Sequence, residues 1–278
     1  VEKTLAILGA GNIGLSIAYG LLEANVFRAE QMILTRRHVA LLAPQKKQGF
    51  EVLAENQEAV RRADIVLIAV EPKQVDGLLR EIGMALLPSR HLLISVVSGV
   101  RLRQIKEQLD HPIPVIRAMP NTAIAIRESM TCLAVGQEDP SALETAQAIF
   151  NSVGKTLVIS EEQMTSATAL GACGIAFFLR AIRAASQGGI EIGFHAGEAL
   201  LIASQTAKGA ADLLLKKGKH PEDEIDKVTT PRGCTISGLN QMEYEGFSSS
   251  MIKGITTSAQ KAATLYAATP PPDEKKSS

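Results

Sequence analysis

The first 160 residues alternate short aliphatic, β-branched runs with helical patterns, and that alternation leaves few folds open. Runs at 5–8, 32–34, 65–70, 92–97 and 114–116 read as strands buried on both faces. Helical stretches at 13–23, 38–48, 57–62, 74–86 and 101–109 separate them. Such succession implies a parallel sheet with right-handed crossovers. Two further runs, 131–135 and 156–159, flank a helix opened by Pro140 and are expected to finish the sheet. After Ser160 the texture changes to Ala-, Leu- and Ile-rich helical stretches, broken near Gly188, Pro221 and Thr230. The expected fold class is α/β: a Rossmann-type doubly wound sheet over 1–160, then an all-α domain over 161–268. Residues 269–278 begin with Thr-Pro-Pro-Pro, cannot continue a helix, and are expected to form a disordered tail.

Within this frame one turn carries chemistry. Gly9, Gly11 and Gly14 follow the first strand and open a helix, in the order Gly-Ala-Gly-Asn-Ile-Gly. Gly9 permits a tight turn, Gly11 lets backbone approach a pyrophosphate, and Gly14 allows close helix–strand packing. The N–H groups of Asn12, Ile13 and Gly14 are then free to meet an anion. At the end of the second strand, an NAD site would carry an acid for the ribose 2′-OH. This chain reads Thr35-Arg36-Arg37 there, with no acid between Gln31 and Phe50. Two guanidiniums and a hydroxyl suit a 2′-phosphate, so NADPH is favoured and NADH stays open.

Composition narrows the partners. Twenty-nine basic residues balance 29 acidic ones, aromatics are 4% and Trp is absent. Nucleic-acid binders usually need clustered positive charge or stacking platforms, so no nucleic-acid partner is expected. Cys132, Cys173 and Cys234 are widely spaced and form no metal-ligand pattern, so no metal is expected. Sparse thiols fit a reducing cytoplasm, and the first residues run straight into a strand pattern without a signal-peptide layout. No uninterrupted apolar run approaches the ~18 residues of a membrane span, so no membrane partner is expected either.

The motifs together resemble the pyrroline-5-carboxylate reductases. The likeness covers about 4–266 and rests on the glycine turn, on Asn56-Gln-Glu-Ala-Val, on Ala63-Asp-Ile-Val-Leu-Ile-Ala-Val-Glu-Pro72, on Ser95-Val-Val-Ser-Gly-Val, on Arg117-Ala-Met-Pro-Asn-Thr122, and on 168–177 and 228–239. The resemblance implies NADPH-dependent reduction of a cyclic imino acid to proline. It implies that Asn56 contacts the adenosine side, and that Ala69, Val70, Pro72, Met119 and Asn121 line the nicotinamide half. It further implies that 230–235 hold the substrate, and that the protein is a homodimer through its helical domain or part of a larger ring. Three places depart from the family pattern. Glu71 replaces a Lys, 171–177 read Gly-Ala-Cys-Gly-Ile-Ala-Phe, and the substrate loop reads Thr230-Pro-Arg-Gly-Cys-Thr235. Another cyclic imine as substrate therefore stays open, as does a non-catalytic NADP-binding protein. A 3-hydroxyacid dehydrogenase of similar architecture would need a Lys on the long helix, and 161–186 carry only Arg180 and Arg183 as basic residues.

The substrate loop has its own physical reading. Pro231 suits the approach to a helix, and Gly233, Cys234 and Thr235 offer N–H groups without intrahelical partners, a carboxylate site. Thr230 and Arg232 join this set, with Arg232 either contacting a carboxylate or pointing to solvent, and Glu161 is counted among the substrate-binding residues. The Thr235 hydroxyl is expected to contact the ring nitrogen as the catalytic group; its alternative role is a helix cap. His195 and His220 are read as structural.

Overall fold

A computed structural model describes residues 3–136 and 140–266. The expected tail, 269–278, lies outside the described residues. By contact density the chain forms two compact units, one of residues up to 173 plus the return of the chain from 258, the other of 174–257.

The first unit holds an eight-stranded sheet: β1 (Leu5–Leu8), β2 (Met32–Thr35), β3 (Glu51–Leu53), β4 (Ile65–Ile68), β5 (Leu92–Ser95), β6 (Val115–Met119), β7 (Ser129–Val135) and β8 (Gly154–Val158). Their order is β3-β2-β1-β4-β5-β6-β7-β8. The central strands are buried on both faces, as continuous runs such as Leu-Ala-Ile-Leu require. β3 was not expected: it is three half-buried residues at an edge, too short and too mixed in polarity to read. The sheet is dominated by parallel pairs, as expected, with one antiparallel pair, β6 with β7. The short 3-10 turn Thr122–Ile126 connects them, and a parallel crossover needs a dozen or more residues.

Helices α1 (Asn12–Glu23), α2 (Ala43–Lys47), α3 (Asn56–Arg62), α4 (Val75–Ile82), α5 (Leu102–Lys106) and α6 (Pro140–Asn151) accompany the strands, and α7 (Met164–Ala167) follows them. Two large buried clusters result, with a smaller one around Met119, Cys132 and Met164. Ile17, Leu21, Phe50 and Phe150 pack with Ile7 and Leu34, while Val60, Leu79, Ile82 and Ile105 pack with Leu8 and Val66.

The helical run continues through a π turn, Thr168–Cys173, into α8 (Gly174–Glu191). No charged residue lies between Glu162 and Arg180, and the stretch 161–191 is long and apolar enough to cross a bilayer by length and composition. This corrects the expectation that nothing in the chain reaches that length. Small and hydroxyl residues dilute the run and hide it from a search for unbroken aliphatics. The second unit pairs α8 with α9 (Ala196–Lys217), joined through Gly193 at φ +110°. α10 (Pro221–Val228), α11 (Cys234–Tyr244) and α12 (Phe247–Ala263) follow, the end of α12 returning to the first unit. Few residues of 174–257 are buried, and Phe178, Leu201, Leu215 and Ile252 are exposed.

Candidate active site

The glycine turn has the geometry its sequence requires. Gly9 adopts φ +96°, and a Cβ there would meet the Ala69 carbonyl at 2.7 Å. A Cβ on Gly14 would strike the Gly9 carbonyl at the same distance, so the turn touches the end of β4 because Gly9 lacks a side chain and the helix because Gly14 does. Gly11 is the N-cap of α1, no side chain caps this end, and open space lies where its Cβ would project. The first N–H groups of α1 thus face room for an anion, the arrangement a dinucleotide pyrophosphate needs.

β2 ends beside this turn. The N–H groups of Gly9 and Ala10 both donate to the Thr35 carbonyl, at 3.2 and 2.8 Å. The Thr35 side chain is 1% exposed, and its hydroxyl donates to Asn56 Oδ1 at 2.6 Å. Its proton is directed at Asn56 within the protein. Arg36 is half-buried and Arg37 exposed. Glu71 pairs with Lys73 at 2.8 Å; its carboxyl is held below the usual range first by that hydrogen bond and further by the Arg37 charge.

At the carboxyl ends of β4 and β6, Ala69 and Val70 are half-buried and Met119 is buried. Asn121 uses both ends of its amide: Oδ1 accepts from the Ala123 N–H at 3.0 Å, and Nδ2 donates to the Gly171 carbonyl in the π turn at 3.3 Å. π turns break the regular helical ladder and recur at functional sites.

In the second unit, Thr230–Gly233 form a tight turn closed by Gly233 N–H donating to the Thr230 carbonyl at 2.9 Å. This removes Gly233 from the free donors expected at the head of α11 and leaves those of Cys234 and Thr235. Arg232 sits at φ +61°, a left-handed conformation unusual for a residue with a Cβ. The Thr235 side chain is exposed in the first turn of α11.

Residues 161–265 match the family "Pyrroline-5-carboxylate reductase dimerisation", and residues 4–99 match "NADP oxidoreductase coenzyme F420-dependent". Pyrroline-5-carboxylate reductase 1 of Dictyostelium discoideum is 54% identical over 95% of this chain, which spans about half of that relative's length. Pyrroline-5-carboxylate reductase 2 of the same organism is 47% identical over 96% of this chain and 94% of its own.

The chain belongs to the pyrroline-5-carboxylate reductase family.

The fold agrees. A Plasmodium falciparum pyrroline carboxylate reductase, solved with NADP bound, superposes with TM-score 0.86 at 24% identity, covering 95% of this chain and 98% of its own. As a member of an oxidoreductase family with a named dimerisation region, this reductase is an enzyme whose exposed helices fall in the segment used for assembly.

Some expected roles change on this scaffold. Glu161, assigned to substrate, is taken up by protein partners: its Oε1 accepts from Arg117 Nη1 at 3.1 Å and from the Leu102 N–H at 2.5 Å. It thus caps α5 and neutralises an arginine whose side chain is 5% exposed. Burial pulls the Arg117 pKa down, and the Glu161 carboxylate opposes that shift. A charged residue inside the apolar strand sequence Pro-Val-Ile-Arg-Ala-Met was the available signal for this pair. His220 Nδ1 accepts from the Glu222 N–H at 3.3 Å, and His195 precedes α9, where its N–H donates to Glu198 at 3.0 Å. Both histidines stand at helix starts.

Proposed function

We propose that this protein reduces 1-pyrroline-5-carboxylate to L-proline with NADPH, the last step of proline synthesis. The observation that carries this reading is the 47% identity across 94% of a full pyrroline-5-carboxylate reductase. The open, uncapped helix start at Gly11 and the paired arginines after β2 support the cofactor. Gly9, Gly11, Asn12, Ile13 and Gly14 would hold the pyrophosphate, and Arg36 and Arg37 the 2′-phosphate. Ala69, Val70, Pro72 and Met119 would border the nicotinamide half, with Asn121 shaping that wall from behind. NADPH supplies the hydride when bound.

The work of the chain is then orientation and charge control. The N–H groups of Cys234 and Thr235 are suited to the substrate carboxylate, and the tight turn through Arg232 presents them. The Thr235 hydroxyl would hold the ring nitrogen; too weak an acid to supply a proton alone near neutral pH, it would relay one from water or retain one already on the imine. Holding C5 of the ring in line for reduction is the larger contribution. We assign cofactor binding to 1–160 and substrate binding with homodimer formation to 161–268, and place the enzyme in the cytoplasm.

NADPH consumption with pyrroline-5-carboxylate, piperideine-6-carboxylate and a 3-keto acid, compared side by side, tests the substrate. Strongest activity on the five-membered imine is expected; preference for the 3-keto acid overturns the reading. Thr235→Ala should lower kcat/KM about 10–100-fold, the loss of roughly 1.4–2.8 kcal/mol, with NADPH affinity nearly unchanged and Thr235→Ser restoring most activity. Equal loss in the Ala and Ser variants would make Thr235 only a cap.

A further inference from the structure

The end of β2 lacks an acid in sequence, yet the fold supplies one from a distance. Glu81, in the last turn of α4, places Oε2 3.1 Å from Asn56 Nδ2, and Asn56 in turn accepts from the buried Thr35 hydroxyl at 2.6 Å. The Thr35 carbonyl receives the N–H groups of Gly9 and Ala10. A three-residue chain therefore runs from α4 to the glycine turn: Glu81 to Asn56 to Thr35.

An ionised carboxylate can only accept hydrogen bonds. Facing Glu81, the Asn56 amide must turn its NH2 outward to the carboxylate and its oxygen to Thr35. With the acid removed, nothing distinguishes the two amide orientations, because the Thr35 hydroxyl can donate or accept equally well. With the acid present, one orientation is selected, and the second Asn56 N–H is held in a fixed direction beside the carboxyl end of β2.

We infer that Glu81 is a positioning residue for the cofactor, acting through Asn56 to fix which amide group meets the adenosine end. The inference rests on the reading of Asn56 as a cofactor contact. It adds a residue that neither the family motif nor the strand end contains. The neighbouring helix contact does not depend on this side chain, since Gln57 Nε2 donates to the backbone carbonyl of Glu81 at 2.6 Å. Glu81 variants therefore keep the α3–α4 tie.

A double-mutant cycle on the full-length protein tests this, reading NADPH and NADH dissociation constants by fluorescence titration and kcat and KM separately. Asn56→Ala should weaken NADPH binding about 5-fold, and Glu81→Ala about 3-fold, each within the range of one hydrogen bond. Glu81→Gln, whose amide oxygen can accept the same bond, should recover most of the affinity. NADH should weaken by similar factors, because the adenosine is common to both, and the loss should fall on KM for the nucleotide more than on kcat. The combined variant should bind no more weakly than Asn56→Ala alone. Additive losses, or unchanged binding in Glu81→Ala while Asn56→Ala weakens it, would overturn the role of Glu81. Unchanged binding in Asn56→Ala would overturn the assignment of Asn56 itself, and the positioning role with it.

Discussion

The two units of this chain solve burial in opposite ways. In the first, a sheet covered by helices removes most large apolar side chains from water, from Leu5 in β1 to Phe150 in α6. In the second, α8 and α9 pack on each other, Gly189 letting Ala199 approach closely, yet Phe178, Leu200, Leu201 and Leu215 stay exposed. Apolar surface of that extent on a monomer marks an interaction face. A region matched to a dimerisation family gives that face its use. The first unit carries its own core, whereas the second leaves much of its apolar surface exposed in the single chain.

The largest test of this contrast replaces an apolar residue on each unit with an acid. Leu201→Glu, at a position 70% exposed in the single chain, should dissociate the oligomer in sedimentation velocity and make the melting temperature fall sharply on dilution. Met84→Glu, 78% exposed on the first unit, should leave both measurements unchanged. Equal behaviour of the two would erase the distinction.

Next in size is the interior of the first unit. Arg117→Ala leaves the Glu161 carboxylate, among the described residues, with the Leu102 N–H, and should cost roughly 3 kcal/mol in urea denaturation, toward the lower end of the range for a broken buried pair. The partly exposed Glu161 side chain is the reason for the lower end. No comparable loss is expected for Lys216→Ala on α9, whose ion pair with Asp212 is solvent-exposed.

A smaller effect of opposite sign is expected in the second unit. Arg232 occupies a left-handed conformation that costs a residue with a Cβ about 1 kcal/mol, so Arg232→Gly should raise stability by about that amount. If Arg232 also contacts the substrate carboxylate, the same variant should raise KM for the imine, separating stability from binding in one protein.

The smallest effect concerns protons. His91 is buried, its Nδ1 accepts from the Leu87 N–H at 2.7 Å, and its Nε2 lies 3.1 Å from the Val60 carbonyl, an arrangement that needs the neutral ring. Burial holds its pKa below the ordinary 6.5, the Val60 bond opposing. The unfolded chain therefore takes up the proton first, so this contribution is complete above pH 6.5 and is lost as pH falls from there towards the folded value. Thermal melts at pH 7.5 and 5.5 should show the wild type losing more stability than His91→Gln; identical losses would remove His91 from the acid response.

Much of this was legible in the residues. Gly9, Gly11 and Gly14 announced their turn because its demands are local: a positive φ at Gly9 and no room for a Cβ at Gly14. Continuous apolar runs announced β1, β4 and β5 for the same reason. What escaped reading depends on partners far along the chain. The acid beside Asn56 comes from Glu81 on another helix, and Glu161 meets Arg117 only once β6 lies beside α5. The antiparallel β6–β7 pair was open to inference from its short connection, but strand identity alone carries no direction. In the substrate loop, Gly233 lost its free N–H to a turn that Pro231 and Arg232 dictate together.

The return of α12 has a consequence for how the chain comes into being. Ala262 is buried, Leu265 and Tyr266 close over Gly99, and the Tyr266 hydroxyl donates to Asp76 at 2.5 Å. These contacts complete the unit whose strands are made first, yet they come from residues synthesised after the whole of the second unit. While a ribosome is still adding the second unit, the loop around Gly99 stays uncovered. Vectorial synthesis therefore finishes the first unit only after the second has been made, which ties its maturation to the presence of an intact α12. A nonsense mutation before residue 258 would thus damage the half of the protein it does not remove.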